Sequence, residues 1–173
     1  MTKLELEDKY YDGKLFYESK EYDKALEVFQ YLANEHSYAL ACNKIGQMYF
    51  DGIGVEKSDE QAYSWWGKAA KFGHVDSQYL FGKFEIDNGN IESGMHYIEA
   101  AANQNHEDAA YLLARSLYHG KNIDQDRDKS VEYYARASKA GNKEAREDLL
   151  AVLMNMYGRF KGILKLLQIY FKK

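Results

Sequence analysis

Residues 41–73 read ACNKIGQMYFDGIGVEKSDEQAYSWWGKAAKFG, a run of small, aromatic and glycine residues that recurs downstream in weaker copies. Aligned on the small residue that opens the first helix of each copy, Ala41, Ser77, Ala109 and Ala145 stand 36, 32 and 36 residues apart. That period lies in the range of helical solenoids, whose units cannot bury an apolar face alone and stack to form one core. Five residues on, a small-residue slot holds Gly46, Gly82 and Ala114, then lapses to Leu150. A missing side chain lets two helices approach closely, so the slot predicts a helix crossing. Later in each copy, Ala62, Trp65, Ala69 and Ala70, then Gly94, Tyr97, Ala101 and Ala102, then Ser130, Tyr133, Ala137 and Ser138 outline a second helix. Small and aromatic residues at i, i+3 and i+7 share one helical face. Gly73, Asn105 or Gly141 follows, residue types that close a helix in the left-handed conformation.

The pattern extends in both directions. Residues 4–19 and 21–34 predict a first hairpin, with Tyr22, Ala25, Phe29 and Leu32 as the stripe of its second helix and 35–37 as the joint. The next hairpin is expected over 38–50 and 59–72, where DGIGVEKS supplies two glycines for positive φ and Asp59 as the helix cap. A third, 75–87 and 91–103, turns at Asn88-Gly89-Asn90, and a fourth, 107–118 and 127–139, carries the longer loop HGKNIDQDRD, in which Gly120 answers Gly52. A fifth first helix begins at Lys143. From the small slot to the matching small residue of the second helix the distance is 12 residues for Gly13 to Ala25 and Gly82 to Gly94, and 16 for Gly46 to Ala62 and Ala114 to Ser130.

The segments IGQMY, DGIGV and KAAKFGHVDSQ resemble Sel-1-like repeats, the helical-hairpin relatives of tetratricopeptide repeats. Residues 41–73 match that pattern well, and the longer loop is what separates it from a plain tetratricopeptide unit. The later copies depart from it: Glu85 and Leu117 stand where Tyr49 sits, and Ala114 replaces the glycine. The resemblance implies an all-α fold, an α/α solenoid of about four antiparallel helical hairpins plus a C-terminal capping region, used as a protein-interaction scaffold with no catalytic residues. The expected organisation is one domain: a solenoid over 1–148, with hairpins at about 4–34, 38–72, 75–103 and 107–140, and a basic amphipathic cap over 149–173.

Composition agrees. Proline is absent from the 173 residues, and the single cysteine, Cys42, excludes a disulfide framework and Cys-x-x-Cys zinc clusters, leaving it as a small core filler. The N-terminal residues are charged from the start and hold no apolar run of signal-peptide length, so the expected compartment is the cytoplasm. Residues 1–148 carry 18 basic against 27 acidic side chains, whereas 149–173 carry five basic (Arg159, Lys161, Lys165, Lys172, Lys173) and no acid. In that tail Leu149, Leu153, Met156, Phe160, Ile163, Leu167 and Tyr170 form one stripe and Leu150, Met154, Tyr157, Leu164 and Phe171 a second. Two readings fit: a cap that seals the last repeat, or a basic amphipathic helix for a membrane surface or a partner's groove. Its longest uninterrupted apolar run is far too short to span a bilayer. Gly158 and Gly162 mark a kink or a break into two helices, and their GxxxG spacing is also that of a helix-dimer seam.

Candidates for chemistry have simpler explanations. His74 and His106 recur at the same place in the repeat and His36 near it, so they read as joint residues and not as metal ligands. Asp51, Glu56 and Asp59 lack the alternating ligands of a calcium loop. Trp65 and Trp66 occupy slots that are apolar in the other copies, which favours packing over a stacking platform. No nucleophile motif, phosphate loop or basic solenoid face is present, so no cofactor, reaction or nucleic acid is expected. The expected function is a non-catalytic protein-interaction module, in a narrower form an inhibitor or immunity protein that masks a cognate toxin or enzyme. The alternative is a membrane-surface adaptor or scaffold held by the tail.

In tetratricopeptide hairpins the concave groove is lined by first-helix positions −3, +1, +4 and +5 from the small slot. Carried over by resemblance, −3 selects Tyr10, Asn43, Tyr79 and Tyr111, and +1 selects Lys14, Gln47, Lys83 and Arg115; +4 selects Tyr17, Phe50, Ile86 and Tyr118. The +1 row is cationic and would favour acidic side chains on a partner. Tyrosines suit interface anchors, and they equally suit any half-buried helix face.

Overall fold

The computed structural model describes residues 1–171, and Lys172, Lys173 and the side chain of Phe171, all placed in the tail by the sequence reading, lie outside the described residues. Among the described residues ten helices and no strand are found. The helices are α1 (Lys3–Glu18), α2 (Tyr22–His36), α3 (Ala39–Asp51), α4 (Asp59–Lys71), α5 (Val75–Asp87), α6 (Ile91–Asn103), α7 (Glu107–His119), α8 (Arg127–Ala140), α9 (Lys143–Tyr157) and α10 (Arg159–Phe171). The chain forms two compact units, residues 1–84 and 85–173, with the division in the last turn of α5.

In the first unit α1 starts from a reciprocal cap. Thr2 accepts the Glu5 amide while its own amide donates to the Glu5 carboxylate, 2.9 Å away. The antiparallel pair α1–α2 closes where Gly13 is buried: a Cβ there would stand 2.6 Å from the Phe29 ring. The α3–α4 pair repeats the device, with the Trp66 ring 2.6 Å from where a Gly46 Cβ would be, and Phe81 of α5 lies 2.9 Å from the same point on Gly67. Around these crossings Phe29, Leu32, Cys42, Ile45 and Met48 are fully buried, with Tyr10, Tyr17, Tyr22 and Trp65 packed at the edge. Two details of the sequence reading are corrected. The cap of α4 is Ser58, whose Oγ accepts the Gln61 amide at 3.2 Å, and Asp59 is the first helical residue. The hydroxyl reaches the orphan amide of the first turn, while Asp59 complements the helix dipole from inside it. Helix α2 runs on to His36, and Ser37 takes the left-handed conformation, φ 51°, that shortens the joint.

In the second unit Ile98, Leu113, Tyr134, Leu149 and Leu153 form the centre of the packing. Gly120 closes α7 at φ 68°, as Gly52 closes α3 at φ 70°, and Asp126 caps α8 by accepting the Lys129 amide. The step in charge at Leu149 falls inside α9, which runs unbroken from Lys143 to Tyr157. The tail does break at Gly158, φ 78° and ψ 160°, and α10 folds back on α9 as a fifth hairpin. The break resets the helical register, so the long stripe expected across it divides. Leu149 and Leu153 are buried, whereas Phe160, Ile163 and Leu167 are exposed, because Gly162 is the residue of α10 that faces α9. A Cβ at Gly162 would lie 2.8 Å from the Leu153 carbonyl oxygen and the Met154 nitrogen. Gly162 therefore marks a crossing within one chain.

Cys42 is fully buried, and burial pushes its thiol up to about 11, so it stays a protonated filler of the core. Overpacking a crossing should be measurable. Gly46→Ala is expected to lower stability by about 1–3 kcal/mol in chemical denaturation, because the indole cannot retreat without opening the α3–α4 pair. Unchanged stability would mean that the ring is not held there.

Candidate functional site

The first-helix positions singled out by the repeat register divide into residues that stacking consumes and residues that it leaves exposed. In the first unit Tyr10 lies 5.5 Å from the Phe29 ring and 5.6 Å from that of Tyr38, the residue that precedes α3. Asn43 accepts the Ser77 hydroxyl at 2.9 Å, which ties α3 to α5. Tyr17 packs edge-on to Tyr22, and the Lys44 ammonium sits 3.6 Å above its ring. Burial, then Tyr38, raises the phenol pKa of Tyr10; burial, then Tyr22 and Asp51, raises that of Tyr17. Both stay protonated. By contrast Lys14, Gln47 and Lys83 are exposed, with the Lys83 ammonium 5.5 Å from the ring of the half-buried Tyr79.

The same division holds in the second unit. Tyr111 donates to Asp148 of α9 at 2.9 Å, and Tyr118 accepts from the Asn155 amide at 2.7 Å. Burial, then the bond to Asp148, raises the Tyr111 pKa. Arg115 is exposed, its guanidinium 5.6 Å over Tyr111, and Ile86 is half-buried.

One cavity gathers three of the residues named from the sequence. About 410 Å³ in volume, it is lined by Asn43, Gln47 and Phe50 together with Asp51, Tyr63, Trp66, Asp76 and Leu80. The Trp66 ring lies 5.4 Å from both Phe50 and Tyr63. Trp66 is 5% exposed, so the packing reading of this residue holds, yet its ring is also a wall of the cavity. Its Nε1–H has no hydrogen-bond partner and lies against Gly46. The acidic rim went unnoticed at the sequence level. Asp51 occupies the +5 position, so the register could have found it, whereas Asp76 sits in the first turn of α5 and is brought in only by the fold.

The histidines do structural work that their recurrence concealed. His106 is the N-cap of α7, its Nδ1 accepting the Ala109 amide at 3.2 Å, and His74 Nδ1 accepts the Ser77 amide at 3.2 Å in the same way. Asn142 does this for α9 by accepting from Ala145 at 2.8 Å. Among the described residues no group of three His, Cys, Asp or Glu side chains could hold a metal ion, and no helix is long and apolar enough to cross a membrane.

The model of the Sel1 repeat matches residues 39–74, 79–106 and 107–142, more than half of the chain. The chain belongs to the Sel1 repeat family. Proteins of this family generally serve as non-catalytic protein–protein interaction scaffolds. A Sel1 repeat protein from Oxalobacter formigenes superposes with a TM-score of 0.75 at 26% identity, covering 94% of this chain and 68% of that one. The c5321 protective antigen of uropathogenic Escherichia coli, which has an SLR fold, gives 0.64 at 19% identity over 86% of this chain and 32% of that one. MamA gives 0.52 at 18% identity over 94% and 89%. The last two similarities bear on the fold alone. The first Sel1 match ends at the cap His74 and the third at the cap Asn142, while α1–α2 and α9–α10 lie outside the matches and still close over a buried glycine.

The cap at His74 requires a neutral imidazole, because a protonated Nδ1 cannot accept the Ser77 amide. Burial depresses its pKa below the usual 6.5, with Asp76 opposing. A base whose folded-state pKa is lowered contributes stability that is complete above 6.5 and is lost as pH falls through that value towards the folded one. His74→Asn, which keeps an accepting cap without a titration, should therefore show a shallower loss of stability between neutral and mildly acidic pH than the parent chain. Superimposable pH profiles of denaturation midpoint would exclude this contribution.

Proposed function

We propose that the chain is a cytoplasmic, non-catalytic module that binds a partner protein along its first-helix face, with the cavity beside α3 as the anchor point. The observation that carries this reading is the cavity itself, walled by Phe50, Tyr63 and Trp66 and rimmed by Asn43, Gln47, Asp51 and Asp76. Aromatic walls beneath a polar rim are the composition of interface hot spots. Phe50 is 40% exposed, and its ring contacts come from its own hairpin, Trp66 and Lys57. It is therefore available to a partner where Tyr10, packed into the joint, is not. A surface held by stacked hairpins loses little freedom on binding.

Charge refines the partner. The exposed Lys14 of α1, Lys83 of α5 and Arg115 of α7 favour acidic side chains on a partner. At the cavity, Asp51 and Asp76 favour a cation instead. The segment that fits carries a basic anchor residue with acidic neighbours. The narrower inhibitor or immunity reading is supported by size and acidic charge alone, and the identity of the partner decides it. The membrane-surface alternative has one observation in its favour, the exposed apolar face of α10 beside basic residues.

Photo-crosslinking in cells tests the surface. A crosslinker at Gln47 should trap a discrete partner, while controls at the exposed Glu27 and Glu60 of α2 and α4 should not. With that partner in hand, Phe50→Ala should weaken binding about tenfold or more at unchanged thermal stability. Adducts from Glu27 or Glu60 with none from Gln47 would move the interface to the second helices.

A further inference from the structure

Within the first unit α2 packs on α3, and within the second α6 packs on α7 and α8 on α9, so the second helix of one hairpin receives the first helix of the next. In that order α1 is a first helix and α10 a second helix. Each leaves an apolar stripe in solvent. On α1, Leu4, Tyr11 and Leu15 are 66%, 59% and 44% exposed. They lie about half a turn round the helix from buried Gly13, at roughly 3.6 residues per turn. On α10, Phe160, Leu164 and Leu167 are 76%, 45% and 46% exposed, on the side opposite buried Gly162. The borders of the two stripes have opposite charge. Glu7, Asp8, Asp12 and Glu18 flank the stripe of α1 and outnumber Lys3 and Lys14 beside it, whereas Arg159 and Lys161 flank that of α10, a helix with no acidic residue.

We propose that these stripes are the two halves of one joint, completed between molecules: the α10 face of one copy receives the α1 face of a second, head to tail. Apolar side chains meet apolar side chains, and the cations of α10 meet the carboxylates of α1. A lipid surface would cover the α10 face and leave the acidic stripe of α1 in water, whereas a second copy covers both. The contact joins two different surfaces, so it is heterologous. A single helix-on-helix seam falls below about 1,200 Å² of buried area, so its dissociation constant is expected on the order of 10–100 μM, weakening with salt.

Sedimentation of the full chain tests this. Between about 1 and 500 μM at low salt, a range bracketing that constant, the average mass should climb above the 20.1 kDa of one copy, and high salt should reverse the rise. One variant carries Arg159→Glu with Lys161→Glu, another Asp8→Lys with Asp12→Lys. Each alone should remain monomeric, with its helical signal and melting temperature retained. Mixed, they should associate again, because the reversed α10 of the first fits the reversed α1 of the second and their unaltered faces still fit each other. Phe160→Ser, which leaves charge alone, should weaken association about tenfold or more. A parent chain that keeps its monomer mass at the top concentration overturns the proposal, as does association that these variants leave intact. A monomer that instead sediments with phosphatidylserine vesicles, and ceases to do so as Phe160→Ser, assigns α10 to a membrane surface and also overturns it.

Discussion

A missing Cβ filled from the opposing helix is the contact on which the α1–α2, α3–α4 and α9–α10 pairs and the α4–α5 joint depend. Phe29 closes on Gly13, Trp66 on Gly46 and Phe81 on Gly67, and at Gly162 the backbone of α9 itself takes the space. Removing one side chain brings two helix axes together and lets a large ring bury nearly all of its surface. The cost is visible at Trp66, whose Nε1–H is left without an acceptor. An unmade hydrogen bond costs about 1–3 kcal/mol, whereas burying an aromatic side chain of this size is worth roughly 4–6 kcal/mol. The ring therefore stays in the crossing, and its outer face remains as a wall of the cavity beside α3.

The joints between hairpins depend on a second, more polar constraint. A first helix must begin immediately after the preceding second helix ends, and its first-turn amides need acceptors in a half-buried place. His74, His106 and Asn142 supply them from equivalent positions. Within each unit a bond between neighbouring first helices adds a second tie: Asn43 with Ser77 from α3 to α5, and Asp108 with Asn142 from α7 to the cap of α9. Packing positions a helix pair, and these directional bonds fix its rotation.

What the sequence revealed follows from which constraints leave a residue-type signature. A crossing tolerates little but glycine or alanine, so Ala41, Ser77, Ala109 and Ala145 and the slots behind them were readable as a period, and the left-handed ends at Gly73, Asn105 and Gly141 were readable with them. Capping tolerates several side chains, and histidine is an uncommon choice, so His74 and His106 showed recurrence without showing its cause. The break at Gly158 was legible, but its consequence was not, because a stripe counted through a φ of 78° no longer describes one helix. Net charge misleads about boundaries for a similar reason. The change of sign near Leu149 reflects solvent-facing positions, whereas the hydrogen-bond ladder of α9 passes through it. Asp76 could not be linked to Asp51 from the sequence, since only the packing of α5 beside α3 makes them neighbours of one cavity.

The tyrosines show how fold and function compete for the same residue types. A phenol offers a broad apolar ring and one polar tip, which suits a binding groove and equally suits a joint between repeats. Tyr10 and Tyr111 have been taken by the joint, the first through its ring and the second through its bond to Asp148. Replacing either would loosen the stack before it altered any encounter with a partner. Stacking leaves other side chains of the first helices exposed, among them Lys14, Gln47, Phe50 and Lys83 in the first unit and Arg115 in the second, and the binding proposed above draws on these. These positions share the helical faces of the structural ones but can change without disturbing a crossing, a cap or a joint.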